Sequence, residues 1–313
     1  MMRKRYILLR PVFCGFAILS ALVASYLTAQ PSFSEWALPE NVGSVVNSTF
    51  NDAAPAVSKD GLSLYFNSDR PAFGANDIYV SRRNSVEEPW GPPENLGAVI
   101  NTSAFEARPS LSRDGHWLFF NSTRPGGFSP GQDLWASYRE NIHDDFGWQP
   151  PVNLGPAVNA AGSSEIEPSY FENDEGGVSL IFFGSNRPGG LGAFDIYVTE
   201  RLLDGTWGSP TPAPGLNSNL VEQSADVRFD GLEIFFSRGT PPGNFDLWVS
   251  TRETTSDPWS EPVNLGPLVN NTGPEGAPHI APDRQTLYFE SNRPGSLGGS
   301  DLWFTTRTKK NDQ

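Results

Sequence analysis

The chain has 313 residues with a formal net charge of −14, and 12% of its residues are aromatic, alongside 31 Gly and 28 Pro. This composition is too aromatic and apolar for a disordered chain, and too rich in turn-forming residues for a helical protein. The acidic balance argues against nucleic acid or an anionic membrane surface as a partner.

The first 29 residues differ from the rest of the chain. A basic start that includes Arg3, Lys4 and Arg5 precedes a mostly apolar run over 12–27, and Ala29 suits the last residue before cleavage. This pattern predicts a signal peptide over 1–29, with an uncleaved membrane anchor as the alternative. The single cysteine, Cys14, lies in this leader. We therefore expect an exported, periplasmic or extracellular protein without disulfides and without a membrane span once the leader is removed.

Behind the leader, one supersecondary unit recurs five times. Each copy contains an Asp that begins a DIY- or DLW-like tripeptide, and consecutive copies are 56, 62, 51 and 55 residues apart. These repeat aspartates are Asp77, Asp133, Asp195, Asp246 and Asp301. Such a period is typical of propellers and other repeat architectures.

Each unit is predicted to hold four short strands. A proline-containing segment such as 55–58 and a dense apolar strand such as 62–66 flank an Asp-Gly turn, as in a β-hairpin. An RPGG-like loop, here called the RP loop, leads to the third strand at the repeat Asp. The fourth strand is predicted to begin at a tryptophan that packs between units. These tryptophans are Trp36, Trp90, Trp148, Trp207 and Trp259.

We therefore predict an all-β fold, a five-bladed β-propeller of four-stranded antiparallel blades over residues 30–307, followed by a tail over 308–313. The last unit lacks a fourth strand, and the segment from Trp36 to Val42 is a fourth strand without a unit of its own. We expect the N-terminal strand Trp36 to Val42 to join the last blade and close the ring, which leaves no exposed sheet edge. An open or six-bladed ring is the alternative.

The repeated pattern P-x-x-S-x-D-G-x-x-L-x-F-x-S-x-R-P-G-G-x-x-x-x-D-[IL]-[YW] resembles the WD40-like repeat of TolB-type bacterial propellers over about residues 36–307. The resemblance implies a periplasmic or surface propeller that binds proteins or envelope components. The fourth unit departs from the pattern, because Thr240 stands where Arg70, Arg124, Arg187 and Arg293 stand in the other units. The fifth unit has Arg284 in place of the turn glycine.

The repeat Asp is interpreted as structural. The fourth unit keeps its repeat Asp, Asp246, although this alignment gives it no arginine. We therefore expect each repeat carboxylate to accept backbone N–H groups of its own glycine-rich loop, with the arginine assisting.

A second set of polar residues precedes each first strand. An acid stands three residues before the first-strand proline position in every unit, and an Asn precedes it by five or six residues. The acids are Asp52, Glu106, Glu165, Glu222 and Glu275, and the amides are Asn47, Asn101, Asn159, Asn217 and Asn270. Because the first strand of a blade lines the central channel, we predict a ring of binding residues at the channel mouth.

Five carboxylates near one axis repel each other unless they are compensated. Pairing with the RP-loop arginines, a hard cation such as Ca²⁺, and water in a wide channel are all possible. His116, His143 and His279 are scattered, and no nucleotide-binding or nucleophile motif occurs. We predict no catalytic residue, no metal ligand and no cofactor, with Ca²⁺ as the open alternative.

The sequence favours an exported, non-enzymatic, monomeric binding or scaffold module for a protein or cell-envelope component. The irregular segments 139–148 and 160–167 are the candidates for specificity. The alternative is a glycan-active enzyme, or a Ca²⁺-stabilised carbohydrate-binding module, that uses the channel carboxylates. A glycosidase needs carboxylates in unlike surroundings, whereas the five acids have near-identical sequence contexts.

Overall fold

A computed structural model describes residues 33–173, 177–240 and 244–310. The predicted leader over 1–29 lies outside these ranges. No helix within them is long and apolar enough to cross a bilayer. The strands of the described ranges are β1 (Glu40–Asn41), β2 (Asp52–Val57), β3 (Ser63–Ser68), β4 (Asp77–Arg82), β5 (Glu94–Asn95), β6 (Glu106–Leu111), β7 (Trp117–Ser122), β8 (Asp133–Tyr138), β9 (Val152–Asn153), β10 (Glu165–Asn173), β11 (Val178–Ser185), β12 (Asp195–Glu200), β13 (Thr211–Pro212), β14 (Val221–Val227), β15 (Glu233–Thr240), β16 (Asn244–Thr251), β17 (Val263–Asn264), β18 (Glu275–Ile280), β19 (Thr286–Ser291) and β20 (Asp301–Thr306).

The strands form five antiparallel four-stranded sheets. Blades 1 to 4 are β2–β5, β6–β9, β10–β13 and β14–β17, each in sequence order from the axis outward, and blade 5 has the order β18-β19-β20-β1. The predicted five-bladed propeller is therefore confirmed.

The N-terminal strand closes the ring. Glu40 pairs with Phe304, and Asn41 pairs with Trp303. The regular strand is shorter than the predicted segment 36–42, but Ala37 N–H also donates to Thr306 O (2.7 Å). The outer edge of β20 is thereby covered along most of its length.

The outer strands are shorter than predicted. Each begins four residues after its tryptophan, as Trp90 and Glu94 illustrate. Prolines such as Pro92 and Pro93 occupy the interval in several blades, and a proline has no N–H to contribute to a ladder. The tryptophans themselves pack between neighbouring blades, as predicted.

The core consists of five apolar clusters, one between each pair of neighbouring blades. The second strand of every blade is apolar at consecutive positions, as in Leu64, Tyr65 and Phe66, because its two faces contact different blades. Each blade therefore depends on its neighbours for burial.

Every inner strand carries a bulge near its centre. The ladder between β2 and β3 shifts register between Ala53 and Ala56, and the other four inner strands shift at the matching place. One non-glycine residue at each bulge has a positive φ between 45° and 60°: Ala54, Arg108, Glu167, Ser224 and Ala277. This backbone turn places five residues of four different types around the axis.

Candidate functional site

The five predicted ring acids are buried at the start of the inner strands, at the first position in four blades and at the second in blade 4, and each one contacts an arginine. All five are fully buried. The pairs are Arg70–Asp52, Arg124–Glu106 (3.3 Å), Arg187–Glu165 (3.0 Å), Arg238–Glu222 (2.8 Å) and Arg293–Glu275 (3.0 Å). None of these acids lines the axial cavity of the described residues. Their predicted binding role stays a prediction, and the contacts give them a structural one.

Each arginine also ties the RP loop to the linker that enters its blade. Arg187 donates to Val158 O (2.6 Å), and Arg293 donates to Val269 O (2.7 Å). Burial raises the pKa of both Glu165 and Glu275, while hydrogen bonds and the paired arginine oppose that rise. The network therefore joins three segments of chain around one buried charge pair.

The sequence alignment of the fourth blade was wrong. Thr240 does not mark a lost arginine, because Arg238 supplies the guanidinium to Glu222. Arg238 pairs in register with Asp246, the place that Ser68 takes opposite Asp77 in blade 1. The cation is thus kept in blade 4 although its position along the strand differs.

The repeat aspartates hold the RP loops. Asp77 accepts the N–H groups of Phe73 (2.8 Å) and Gly74 (3.3 Å), and Asp301 accepts those of Leu297 and Gly298. This loop-capping role was predicted. The prediction that the arginine assists the repeat Asp was wrong, because the arginine binds the inner-strand acid instead. In blades 1, 2, 4 and 5 an Asn of the fourth strand donates a hydrogen bond to the repeat Asp. Residues 241–243 of the RP loop above Asp246 lie outside the described residues.

The predicted asparagines connect each linker to the blade before it. Asn101 accepts the N–H of Ile78 (2.8 Å) and donates to its carbonyl oxygen (2.9 Å). The same reciprocal pair forms at Asn47, Asn159, Asn217 and Asn270. Four of these amides also donate to an Asn of the fourth strand, and the predicted part of all five in ligand binding stays a prediction.

A polar cluster that the sequence analysis missed lies on the axis. Arg108 donates to both oxygens of Glu290 (3.0 and 3.2 Å), and its Nε lies 3.2 Å from Glu167. Ser224 donates to Glu167 as well. We call Arg108, Glu167, Ser224 and Glu290 the axial cluster. Its members come from four different blades, so the cluster links them across the channel.

The electrostatics of the axial cluster favour ion pairs of Arg108 with Glu167 and Glu290. Burial raises the pKa of Glu167, and Arg108 opposes that rise. Burial lowers the pKa of Arg108, but Glu290 and Glu167 together raise it above its ordinary value. Beside the cluster, the axial cavity measures about 40 Å³. This volume suits a few water molecules, whereas small-molecule pockets usually measure roughly 300–1,000 Å³.

A second ring of side chains lies two residues after the bulge position of each inner strand. His279 accepts the N–H of Val57 at Nε2 (3.0 Å), so its ring proton is on Nδ1, which faces Asp226 at 3.4 Å. Asp226 in turn accepts the N–H of Ile280 (2.9 Å). These side chains join successive blades and are not arranged as a nucleophile with its base.

No group of three or more His, Cys, Asp or Glu side chains that could hold a metal ion occurs among residues 33–173, 177–240 and 244–310. The five ring acids and Glu167 each have an arginine partner, and Asp226 faces His279. The calcium alternative therefore has no ligand set in this part of the chain.

One end of the propeller carries exposed apolar side chains at a repeated position. RP loops and inter-blade linkers emerge at the same end of every blade because the strands alternate in direction, and we call this end the loop face. Four RP loops carry an exposed apolar residue, and these loop tips are Phe73, Phe128, Leu191 and Leu297. The linkers add Val45, Val99 and Leu268. The loop face therefore presents an exposed apolar side chain from the RP loop of at least four blades.

A second arginine set was also missed. Six residues after each repeat Asp stands an arginine, and four of these donate from Nε to the turn of the first hairpin: Arg83, Arg139, Arg252 and Arg307. The same four guanidinium groups stack on the tryptophan of their blade at 4.1–4.6 Å. The constant six-residue spacing was the signal that could have revealed them.

The fold is shared with several solved structures. A GH62 hydrolase in complex with xylotriose superposes with a TM-score of 0.61 at 11% identity, covering 89% of this chain and 98% of that one. The α-L-arabinofuranosidase from Lactobacillus brevis superposes with a TM-score of 0.60 at 15% identity, and the match covers 87% of this chain and 94% of that one. TolB from Acinetobacter baumannii superposes less closely, with a TM-score of 0.48 at 14% identity, and the match covers 85% of this chain and 57% of that one.

These likenesses establish the fold alone. No protein-family model matches the chain, and no curated protein matches it. The resemblance to TolB-type repeats is therefore supported only at the level of the five-bladed propeller.

Proposed function

We propose that the chain is an exported, non-enzymatic binding protein whose loop face docks onto a protein of the cell envelope. The observation that carries this proposal is the repeated exposure of apolar loop tips on one end of the propeller, with Leu191 71% exposed. Contiguous apolar surface is typical of protein-interaction sites, and we propose that the loop tips form such a surface together. Export is supported by the basic and apolar pattern of residues 1–29.

The buried networks serve this function by holding the loop tips in place. The repeat Asp caps the RP loop from within, and the arginine fastens it to the linker. The loop also contacts the next blade, since Ala75 N–H donates to Ala104 O (3.2 Å). A rigid surface loses little conformational entropy on binding, which favours affinity.

The test compares two triple variants in a cross-linking experiment on cells that export the protein. Phe73→Ser, Leu191→Ser and Leu297→Ser together alter the loop face, whereas Leu38→Ser, Val263→Ser and Leu203→Ser alter exposed apolar residues elsewhere. We expect the wild type and the second variant to cross-link to the same discrete envelope protein, and the first variant to lose that product. Equal products from both variants, or no product from the wild type, would overturn the proposal.

A glycan-active enzyme is the second candidate, and it is favoured by the axial carboxylates. Glu167, Glu290 and Asp226 occupy unlike surroundings, as the acid and base of a glycosidase must. The glycoside hydrolases of the same fold also support this candidate. Against it, Arg108 binds two of the three carboxylates and the axial cavity is too small for a sugar ring.

The decisive assay offers xylan, arabinoxylan and aryl arabinofuranosides to the purified protein. We expect no turnover above that of a Glu167→Gln and Glu290→Gln double variant. Hydrolysis that the double variant loses would establish the enzyme reading in place of the binding one.

A further inference from the structure

The junction between blades 1 and 2 is filled by a carboxylate of the chain itself. Asp145, in the blade 2 loop 140–147, is buried there. It accepts hydrogen bonds from the hydroxyl of Tyr65 (2.5 Å), from Arg139 (2.7 Å) and from the hydroxyl of Ser63 (2.8 Å). The segment 139–148, predicted from sequence to give specificity, thus acts in part as a plug between two blades.

The junction between blades 5 and 1 repeats two of these donors. Tyr288 stands in β19 where Tyr65 stands in β3, since each lies opposite the same inner-strand position. Arg83 follows Asp77 by six residues, as Arg139 follows Asp133. The third donor differs, because the hydroxyl of Thr286 donates to Asp283.

No carboxylate of the described chain is hydrogen-bonded to Arg83 or Tyr288 in this second junction, although Asp60 and Asp283, each held by its own turn, also line it. The blade 1 loop between Arg83 and Trp90 is two residues shorter than its blade 2 counterpart, and Glu87, three residues before Trp90, is exposed. A cavity of about 850 Å³ occupies the space, with Arg83, Trp90 and Tyr288 in its wall. We call it the 5/1 cleft.

The donors in the 5/1 cleft are available. In the described part of the chain the hydroxyl proton of Tyr288 has no acceptor, although Tyr288 is only 5% exposed. Arg83 uses Nε for Gly61 O (2.7 Å), while its terminal nitrogens have no hydrogen bond or ion pair within the described ranges. Asp283 is occupied by its own turn, where it accepts from Gln285 and Thr286.

We propose that the 5/1 cleft binds the carboxylate of an aspartate side chain in a peptide segment, in the manner of Asp145 in the neighbouring junction. Tyr288 and Arg83 donate to the carboxylate, and the aromatic wall accepts an adjoining apolar side chain. Exposed acids at the rim, Glu40, Glu87 and Glu88, favour a segment with Lys or Arg on its flanks. This site goes beyond the proposed function, because it lies at a blade junction and does not use the loop tips.

The test titrates acetyl-Lys-Asp-Phe-Gly-Lys-amide into the protein beginning at Phe33 by isothermal calorimetry, beside the same peptide with Asn in place of Asp. We expect the Asn peptide to bind at least about tenfold more weakly, since a hydrogen bond to a charged group contributes about 1.5–3 kcal/mol. Tyr288→Phe should weaken the Asp peptide about tenfold.

The Tyr288→Phe variant should fold, because Phe119, Phe182 and Phe235 occupy the same position in other blades. The matched control is Tyr65→Phe, which alters the filled junction and should leave peptide affinity unchanged. Equal affinity for the two peptides, unchanged affinity in Tyr288→Phe, or no binding at millimolar peptide would overturn the proposal.

Discussion

Buried arginine–carboxylate pairs are the feature that decides the role of the repeated charges. Removing one partner of a buried pair leaves an uncompensated charge and usually costs about 3–5 kcal/mol. Exposed pairs contribute about 0–1 kcal/mol, because water and salt screen them. The same two residue types therefore differ in importance according to their burial.

The first residue-scale prediction concerns Arg293, which is buried against Glu275. Arg293→Met should lower the free energy of unfolding by about 3 kcal/mol or more, measured by urea denaturation. The control is Arg82→Met, which breaks the exposed pair of Arg82 with Glu94 and should cost about 1 kcal/mol or less. Equal losses in the two variants would contradict the structural role of the buried pairs.

The second residue-scale prediction concerns the pH dependence of the axial cluster. The pKa of Glu167 is raised by burial, so the folded state binds its proton more tightly than the unfolded state does. The stability that this proton contributes is complete below the ordinary value of 4.5 and is lost as the pH rises through the raised pKa.

Wild type should therefore lose stability relative to Glu167→Gln as the pH rises from 4.5 toward neutrality. Urea denaturation at half-unit intervals of pH measures this difference. Parallel stability curves for the two proteins would show that Glu167 does not titrate in this way.

Residues that repeat were predictable, and residues that differ between blades were not. The five inner acids and five asparagines were found because each keeps its distance from the first strand. The axial cluster was missed because no side-chain chemistry is common to all five bulge positions, which hold Ala54, Arg108, Glu167, Ser224 and Ala277. Each bulge residue follows its ring acid by two residues, but only the backbone bulge shows that this position faces the axis.

At the scale of elements, hydrogen-bond register explains the misplaced arginine of blade 4. The strand pair β15–β16 begins its pairing at Thr240 and Asn244, two residues beyond the point where β3 and β4 end at Ser68 and Asp77. A sequence alignment anchored on the repeat Asp could not detect this longer ladder. Arg238 reaches Glu222 as the other arginines reach their acids, although it stands at a different position relative to the repeat Asp.

The element-scale prediction concerns β1. A chain that begins at Gly43 lacks β1 and leaves β20 with an unpaired edge, whereas a chain that begins at Phe33 keeps the closure. The shorter chain should melt at a lower temperature and form oligomers, because exposed edges pair with other strands. Light scattering after size-exclusion chromatography measures this, and a stable monomeric short chain would contradict it.

At the scale of the whole molecule, the five blades share one backbone arrangement and differ in the chemistry of their side chains at particular places. One place is the axis, where Glu290 stands in the β19 position that Asn67 and Asn121 take in β3 and β7. Another is the pair of junctions, one filled by Asp145 and one holding the 5/1 cleft. Such departures from the repeat are where a ligand could distinguish one blade from another.

The ring closure by β1 also sets the order in which the protein can fold. Four blades are built from consecutive strands, so their pairings are local, whereas Asn41 and Asp301 are separated by 260 residues. The entropy of closing so long a loop must be overcome before the last sheet is complete. The fifth blade should therefore assemble last, only after the whole propeller sequence has emerged, and opening of that blade should be the first step of unfolding.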